Sequence, residues 1–309
     1  MVLDPVKGTV FLCLTGLGIV GNILVFVSYM HIFVSTEEKK PIHLILAHLA
    51  LTNIIMLLSK GMPKTIEAFN FGNFLDDTSC KVVVYLARVS WGLSICTSSL
   101  LTVVQAITIS PRHSMWQRLN LKTPQNVLSS LLFLWILNSL ISVNLTYYIK
   151  NINSVNITLV RKRGNYCYFL PESWITRCIF LILMILRDAV FQGAMGGASG
   201  YMVFLLHKHH QHVLYLQNSK LLYRTPPELR AAQSVLILMV CFLFFYWADC
   251  FICLYFTFFI DDSSTVLYIP EFLTIGYAVL SPFMLIHRNG HLTRCCYTHE
   301  TDQALIHVH

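Results

Sequence analysis

A few charged residues stand inside otherwise apolar stretches: Arg88, Arg187, Asp188, Asp249 and Glu271. A charge in hydrocarbon is costly, so each is a functional candidate by default. Arg88, Trp91 and Ile95 recur at helical spacing and share one face, as do Tyr246, Asp249 and Cys253. On neighbouring helices these groups would line a pocket of aromatic and apolar walls with few polar contacts. Such a pocket suits a small organic ligand. The expected lining is Arg88, Trp91, Ile95, Asp188, Tyr246, Asp249 and Glu271. The competing reading is an internal ion pair, Arg88 with Glu271 or Asp249, that only fixes packing. No residue is expected to catalyse a reaction, and neither cofactor nor metal is expected. Cys250 and Cys253 have CxxC spacing, but a zinc site there would lack its other two ligands. His207, His209, His210 and His212 around Lys208 read as a solvated face near lipid headgroups.

The elements that must position these groups follow from composition. Of 309 residues, 55% are hydrophobic and only 12% charged. A soluble domain carries about 25% charged residues. At half that content its surface would show apolar patches well beyond what a soluble monomer tolerates. Charge-free runs cover Gly8 to Thr36, Pro41 to Ser59, Val89 to Pro111, Thr123 to Ile149, Ala189 to His207 and Ala231 to Ala248. A seventh, Ser263 to His287, is broken once, by Glu271. A membrane helix needs about 20 mostly apolar residues, whereas membrane strands are about 10 long and alternate in polarity. The expected fold is therefore an all-α membrane protein, a single seven-helix bundle over 1–309. Helices are expected near 9–31, 41–60, 81–109, 125–149, 173–206, 227–260 and 266–287, followed by a tail over 288–309. The first run is too long for a signal-peptide core and should act as its own insertion signal. With so little chain before it, a ligand would be read by the bundle or its short loops.

Three signals orient the bundle with the N-terminus outside and the C-terminus cytosolic. Basic residues outnumber acids on the inner side and balance them on the outer, a modest positive-inside bias. Asn156-Ile157-Thr158 is a glycosylation sequon in the loop after the fourth helix, which this orientation puts outside. Cys80 opens the third helix and Cys167 lies in that same outer loop, where a disulfide can persist. On the inner side, Arg112, Arg118, Arg224 and Arg230 could meet a cytosolic partner or anionic lipid. Cys295 and Cys296 follow the last helix, where cysteines can be palmitoylated.

Prolines and glycines punctuate the runs. Lys40-Pro41, Thr123-Pro124 and Thr225-Pro226-Pro227-Glu228 read as helix starts, and Ser110-Pro111 as a helix end. Pro282 lies inside the last run, where it removes a backbone hydrogen bond that neighbouring helices must replace. Gly193, Gly196, Gly197 and Gly200 form small-xxx-small pairs, which favour tight packing within the bundle over a dimer interface.

These motifs together carry a family resemblance over nearly the whole chain. They are Gly21-Asn22, Leu49-Ala50-Leu51-Thr52-Asn53, Gly92 to Thr97, Gln105 to Pro111, Trp135, Pro227 to Gln233 and Ser281 to Ile286. The sequence resembles the vomeronasal type-1 receptors, a branch of the heptahelical G-protein-coupled receptors. It departs from the rhodopsin-like pattern: no Asp-Arg-Tyr triplet ends the third helix, Asn53 stands where a sodium-binding Asp is usual, and the fifth helix has no proline. The seventh has no lysine for a retinal Schiff base. The resemblance implies a chemosensory plasma-membrane receptor for a small pheromone-like ligand. It also implies coupling to a heterotrimeric G protein of the inhibitory class. Lipid is the other expected partner, and nucleic acid is not one. A bitter-taste-type receptor is the near alternative, which the Gln105 to Pro111 ending argues against. A channel or transporter is the distant one; internal repeats and broken helix pairs, frequent in transporters, are not seen.

Overall fold

A computed structural model describes residues 3–36, 39–69, 76–111, 121, 123–143, 149–151, 167–169, 174–216, 227–258 and 269–288. They form α1 (Leu3–Ser35), α2 (Pro41–Met56), α3 (Met62–Ala68), α4 (Asp77–Ile109), α5 (Pro124–Val143), α6 (Trp174–Leu216), α7 (Pro227–Phe258) and α8 (Ile269–Arg288). A π-helical turn, Leu57–Gly61, joins α2 to α3, so the two make one span. Among the described residues six stretches are long and apolar enough to cross a membrane, and Phe272–His287 in α8 is a shorter apolar helix. The all-α seven-helix reading holds.

Local chemistry sets the helix ends. The Asp76 side chain accepts from the Ser79 backbone N–H at 2.9 Å and caps α4. Hydrogen bonds from the Ser79 side chain and then its backbone hold that carboxyl below the usual carboxylate range. At the other end, Ser110 takes an extended backbone, φ −73° and ψ 140°, as a residue before proline must. Lys40 does the same before Pro41, which opens α2.

Several helix ends differ from expectation, among them α1, which spans Leu3–Ser35 rather than 9–31, and the α2–α3 span, which runs to Ala68 rather than 60. The fourth helix was expected to reach residue 149, but α5 ends at Val143. Ile149–Asn151 is instead strand β1, antiparallel to β2 (Cys167–Phe169), with Ile149 opposite Phe169 and Asn151 opposite Cys167. Short apolar runs of β-branched and aromatic residues suit a strand as well as a helix, so hydropathy alone does not mark that break. The fifth helix was expected to stop at 206, yet α6 continues to Leu216, 43 residues in all. At 1.5 Å per residue that is about 65 Å, roughly twice the hydrocarbon thickness. The overrun is polar, and His207 and Gln211 lie 3.0 Å apart across one turn of it.

Packing ranks the spans. In the apolar window of α4, 78% of residues are buried, against 17% in α7. The central helix is therefore α4, which packs on α2, α5, α6 and α7 and on the β hairpin. Its apolar face meets Ile45, Leu49, Met195 and Met202 in one buried cluster. The outward residues of α7 are apolar too: Val240, Phe244, Trp247 and Phe251 stay exposed at helical spacing. A helix that is apolar on both faces belongs in lipid.

Pro282 lies inside α8 and leaves the Ala278 carbonyl without its helical donor. Asn22 Nδ2 supplies one, donating to Ala278 O at 2.8 Å and to Gly18 O at 2.7 Å. Asn53 Nδ2 then donates to Asn22 Oδ1 at 3.2 Å and to Ser281 Oγ at 2.9 Å. Gly21 permits this approach, since a Cβ there would stand 3.0 Å from Pro282. The Gly21-Asn22 and Ser281-Pro282 motifs are thus one joint between α1 and α8.

The glycines of α6 correct an expectation. A Cβ at Gly193, Gly196, Gly197 or Gly200 would meet nothing within 4 Å among the described residues. Tight packing within the bundle is not their role. Met195, Ala198, Ser199 and Met202 take the buried face instead.

Candidate functional site

The site grows from a glycine. Gly92 lies mid-way along α4, and a Cβ there would collide with Asn138 Oδ1 and the Arg187 guanidinium. The missing side chain lets an amide from α5 and a cation from α6 rest on the α4 backbone. Arg187 Nη1 donates to Asn138 Oδ1 at 3.0 Å. Asn138 is held in turn by its own α5, donating from Nδ2 to Leu134 O at 2.8 Å.

Arg187 finds its counter-ion next door. Adjacent helix residues point about 100° apart and ordinarily do not face each other. The long guanidinium side chain bends back, so that Nε donates to Asp188 Oδ1 at 2.8 Å. Nη2 lies 2.7 Å from the same oxygen. Asp188 Oδ2 accepts from the Tyr246 hydroxyl of α7 at 3.0 Å. One buried cluster therefore links α4, α5, α6 and α7.

Beside the cluster the walls are aromatic. Trp91 stacks on Tyr246 with ring centroids 5.9 Å apart, and Phe242 lies 6.2 Å from Tyr246. Lys60 Nζ sits over the Trp91 ring, 5.0 Å from its centroid, a cation–π contact. Lys60 belongs to the π turn, and such turns frequently mark functional positions. Further out, Asp249 Oδ1 accepts from Thr274 of α8 at 3.1 Å. Lys60 and Arg88 both lie near enough to act on the Asp249 carboxylate electrostatically.

Of the expected lining, Trp91, Asp188 and Tyr246 come together, with Asp249 on the rim. Arg88 is exposed. Ile95 is fully buried in the apolar core. The Glu271 backbone is in α8, but its side chain, like that of Cys253, lies outside the described residues. The alternative pairing of Arg88 with Glu271 falls on a side chain outside the described residues, and Arg88 acts on Asp249 electrostatically; a buried pair among the described residues is Arg187–Asp188. Residues that the sequence does not mark as lining are Gly92, Asn138, Lys60 and Thr274; Arg187 stands out there only as a charge in an apolar stretch. Asn138 has a signal: an amide mid-way along a charge-free run. Cys80 is fully buried at the start of α4, and Cys167 begins β2. Arg230 is exposed at the start of α7. Arg112, Arg118, Asn156, Arg224, Cys295 and Cys296 lie outside the described residues.

A second polar node braces the site from behind. Trp135 Nε1, which can only donate, bonds His48 Nε2 at 2.8 Å. That bond assigns the proton to His48 Nδ1, which faces Thr97 Oγ1 at 3.1 Å. The Trp135 motif thus serves to join α2, α4 and α5.

The arrangement offers hydrogen bonds, one compensated charge pair and aromatic faces. It suits recognition of a small molecule.

Comparison with known proteins follows the same line. The model of the "Vomeronasal organ pheromone receptor family" matches residues 6–298. A Homo sapiens protein, "Vomeronasal type-1 receptor 4", is 33% identical over 92% of this chain and 94% of its own length. "Olfactory receptor class A-like protein 1" of Danio rerio is 31% identical over 96% of this chain and 94% of its own. Among solved structures, squid rhodopsin superposes with a TM-score of 0.72 at 15% identity, covering 95% of this chain and 80% of that one. That last likeness speaks to the fold alone.

Proposed function

We infer the function from one premise: this chain belongs to the vomeronasal organ pheromone receptor family. It is a chemosensory G-protein-coupled receptor of the plasma membrane, with multiple membrane spans and no enzymatic role. Beyond that, the reading is that a small organic ligand binds among α4, α6, α7 and α8. The observation that carries it is the buried Arg187–Asp188 pair under the Trp91–Tyr246 stack. Polar groups so deep in a membrane bundle are costly unless they serve function.

The hairpin end would face outward and the long end of α6 the cytosol. A Cys80–Cys167 bridge would then tie the outer loop to the bundle. The hairpin packs on α4, and Cys80 is not among the free thiols. Asn156 would carry glycan on the same side, and Cys295 and Cys296 would take palmitate on the other. Arg112, Arg118, Arg224 and Arg230 would meet a heterotrimeric G protein of the inhibitory class.

Activation would be a population shift toward the state the ligand binds more tightly. The sparse packing between α6 and α7 supports those two as the moving parts, since α7 leans on α8 and α4 instead. Tyr246 on α7 bonds Asp188 on α6, so a ligand at the cluster acts on both.

The test is G-protein activation in cells carrying the full chain, screened with a panel of small organic molecules. An agonist response abolished by blocking inhibitory-class G proteins is expected. Ligand-evoked ionic current that persists with G proteins blocked would sink the receptor mechanism.

A further inference from the structure

The Arg187 guanidinium uses two of its three nitrogens along their N–H directions. Nε donates to Asp188 Oδ1 at 2.8 Å and Nη1 to Asn138 Oδ1 at 3.0 Å. Nη2 is 2.7 Å from Asp188 Oδ1, yet it is buried with no hydrogen-bond partner among the described residues. The two facts agree, because proximity alone supplies Coulomb attraction while a hydrogen bond also needs alignment. Arginine and carboxylate often pair two nitrogens with two oxygens. Here the second oxygen, Oδ2, is held by Tyr246 instead. One charged donor therefore stays unspent on a side chain that is 3% exposed. Folded proteins seldom leave such a group unmade without a functional reason.

We propose that Arg187 Nη2 is the ligand-reading donor of this bundle, and that it takes the acceptor oxygen of an uncharged, mainly apolar molecule such as a ketone or ester. This rests on the receptor reading above and gives its site a ligand chemistry. Charge balance selects the class. Arg187 and Asp188 already neutralise each other in a dry setting. A carboxylate ligand would compete with Asp188 and leave it buried without its partner. An amine would do the same to Arg187, and a broken buried pair is strongly unfavourable. A carbonyl or ether oxygen takes the unspent N–H and leaves the pair intact. The body of the molecule would lie against the Trp91–Tyr246 stack. Tyr246 is half-buried and tied to the cluster through its hydroxyl, on the same Asp188 that pairs with Arg187.

The experiment uses the full chain in cells and reads G-protein activation. Ketones and esters of graded size are compared with carboxylates and amines of matched carbon skeleton. The variant is Arg187→Lys, which keeps a cation opposite Asp188 but has no Nη2. Uncharged acceptors should be at least tenfold more potent than their charged counterparts on the wild type. Arg187→Lys, at matched surface level, should lose at least tenfold in potency toward them. The wild-type class comparison stands even if that variant fails to reach the surface. Greater potency of the carboxylates or amines overturns the proposal, as does unchanged ketone potency in Arg187→Lys. Silence toward every compound also overturns it. Ligand-independent nucleotide exchange by the overexpressed wild type is measured in parallel, so the receptor reading is judged separately from its ligand chemistry.

Discussion

Two of the buried polar networks among the described residues differ in kind. At α1, α2 and α8, Asn22, Asn53 and Ser281 exchange neutral hydrogen bonds with one another and with the carbonyls of Gly18 and Ala278. At α4, α5, α6 and α7, Arg187, Asp188, Asn138 and Tyr246 hold a full charge pair. Among the described residues each leaves one atom without a hydrogen-bond partner, Asn53 Oδ1 in the first and Arg187 Nη2 in the second. An unmade neutral acceptor is a modest cost; an unmade charged donor is a larger one. The neutral network repairs what Pro282 takes away, which is architecture. The charged one repairs nothing in the backbone. That difference is why the second is read as the ligand site.

The sharpest way to break the comparison is Asp188→Ala. It leaves Arg187 buried without a counter-ion, a loss of about 3–5 kcal/mol. Surface expression, measured by flow cytometry, should collapse. The double variant Arg187→Gln with Asp188→Asn, which removes both charges, should recover much of it. Recovery would separate the need for charge balance from the need for charge.

Gly92→Ala should come next, because its Cβ would enter the space of Asn138 and Arg187. Overpacking of this kind costs about 1–3 kcal/mol. Melting of the purified receptor should fall, and agonist potency should fall with it. A normal melting point would show that the cluster can retreat from α4.

Asn22→Ala tests the other network. Two donations to backbone carbonyls are lost, at about 0.6 kcal/mol each on the scale measured for membrane helices. The melting point should drop slightly while agonist potency holds. A large potency change would mean that the joint at Pro282 takes part in signalling.

Gly197→Ala should do least. Its Cβ meets nothing, and alanine in a helix gains about 0.5–1 kcal/mol over glycine. Unchanged or slightly raised melting is expected. Marked destabilisation would mean that this face of α6 is covered by another chain in the membrane.

What the sequence reveals and what it hides divide along physical lines. The spans are legible because hydrocarbon imposes a length and forbids charge, and both can be counted. Trp91, Asp188 and Tyr246 are legible as well, since a polar or aromatic group in such a run stands out. Ile149 is hidden because a short apolar run does not choose between helix and strand. Lys60 reads as the end of a run, and only the π turn winds it back over Trp91. Gly92 is hidden more deeply. Its role is an absence of atoms, and what fills that space comes from helices far along the chain.

The length of α6 has a mechanical consequence. From Arg187 to Leu216 the helix runs about 43 Å at 1.5 Å per residue. Treated as a rigid rod pivoting at the Arg187–Asp188 pair, a tilt of about 5° would carry its tip sideways by about 4 Å, roughly three-quarters of the rise of one helical turn. The helix is a lever with its short arm at the ion pair. A rearrangement of less than a bond length there becomes, at the far end, a displacement a docking partner can feel.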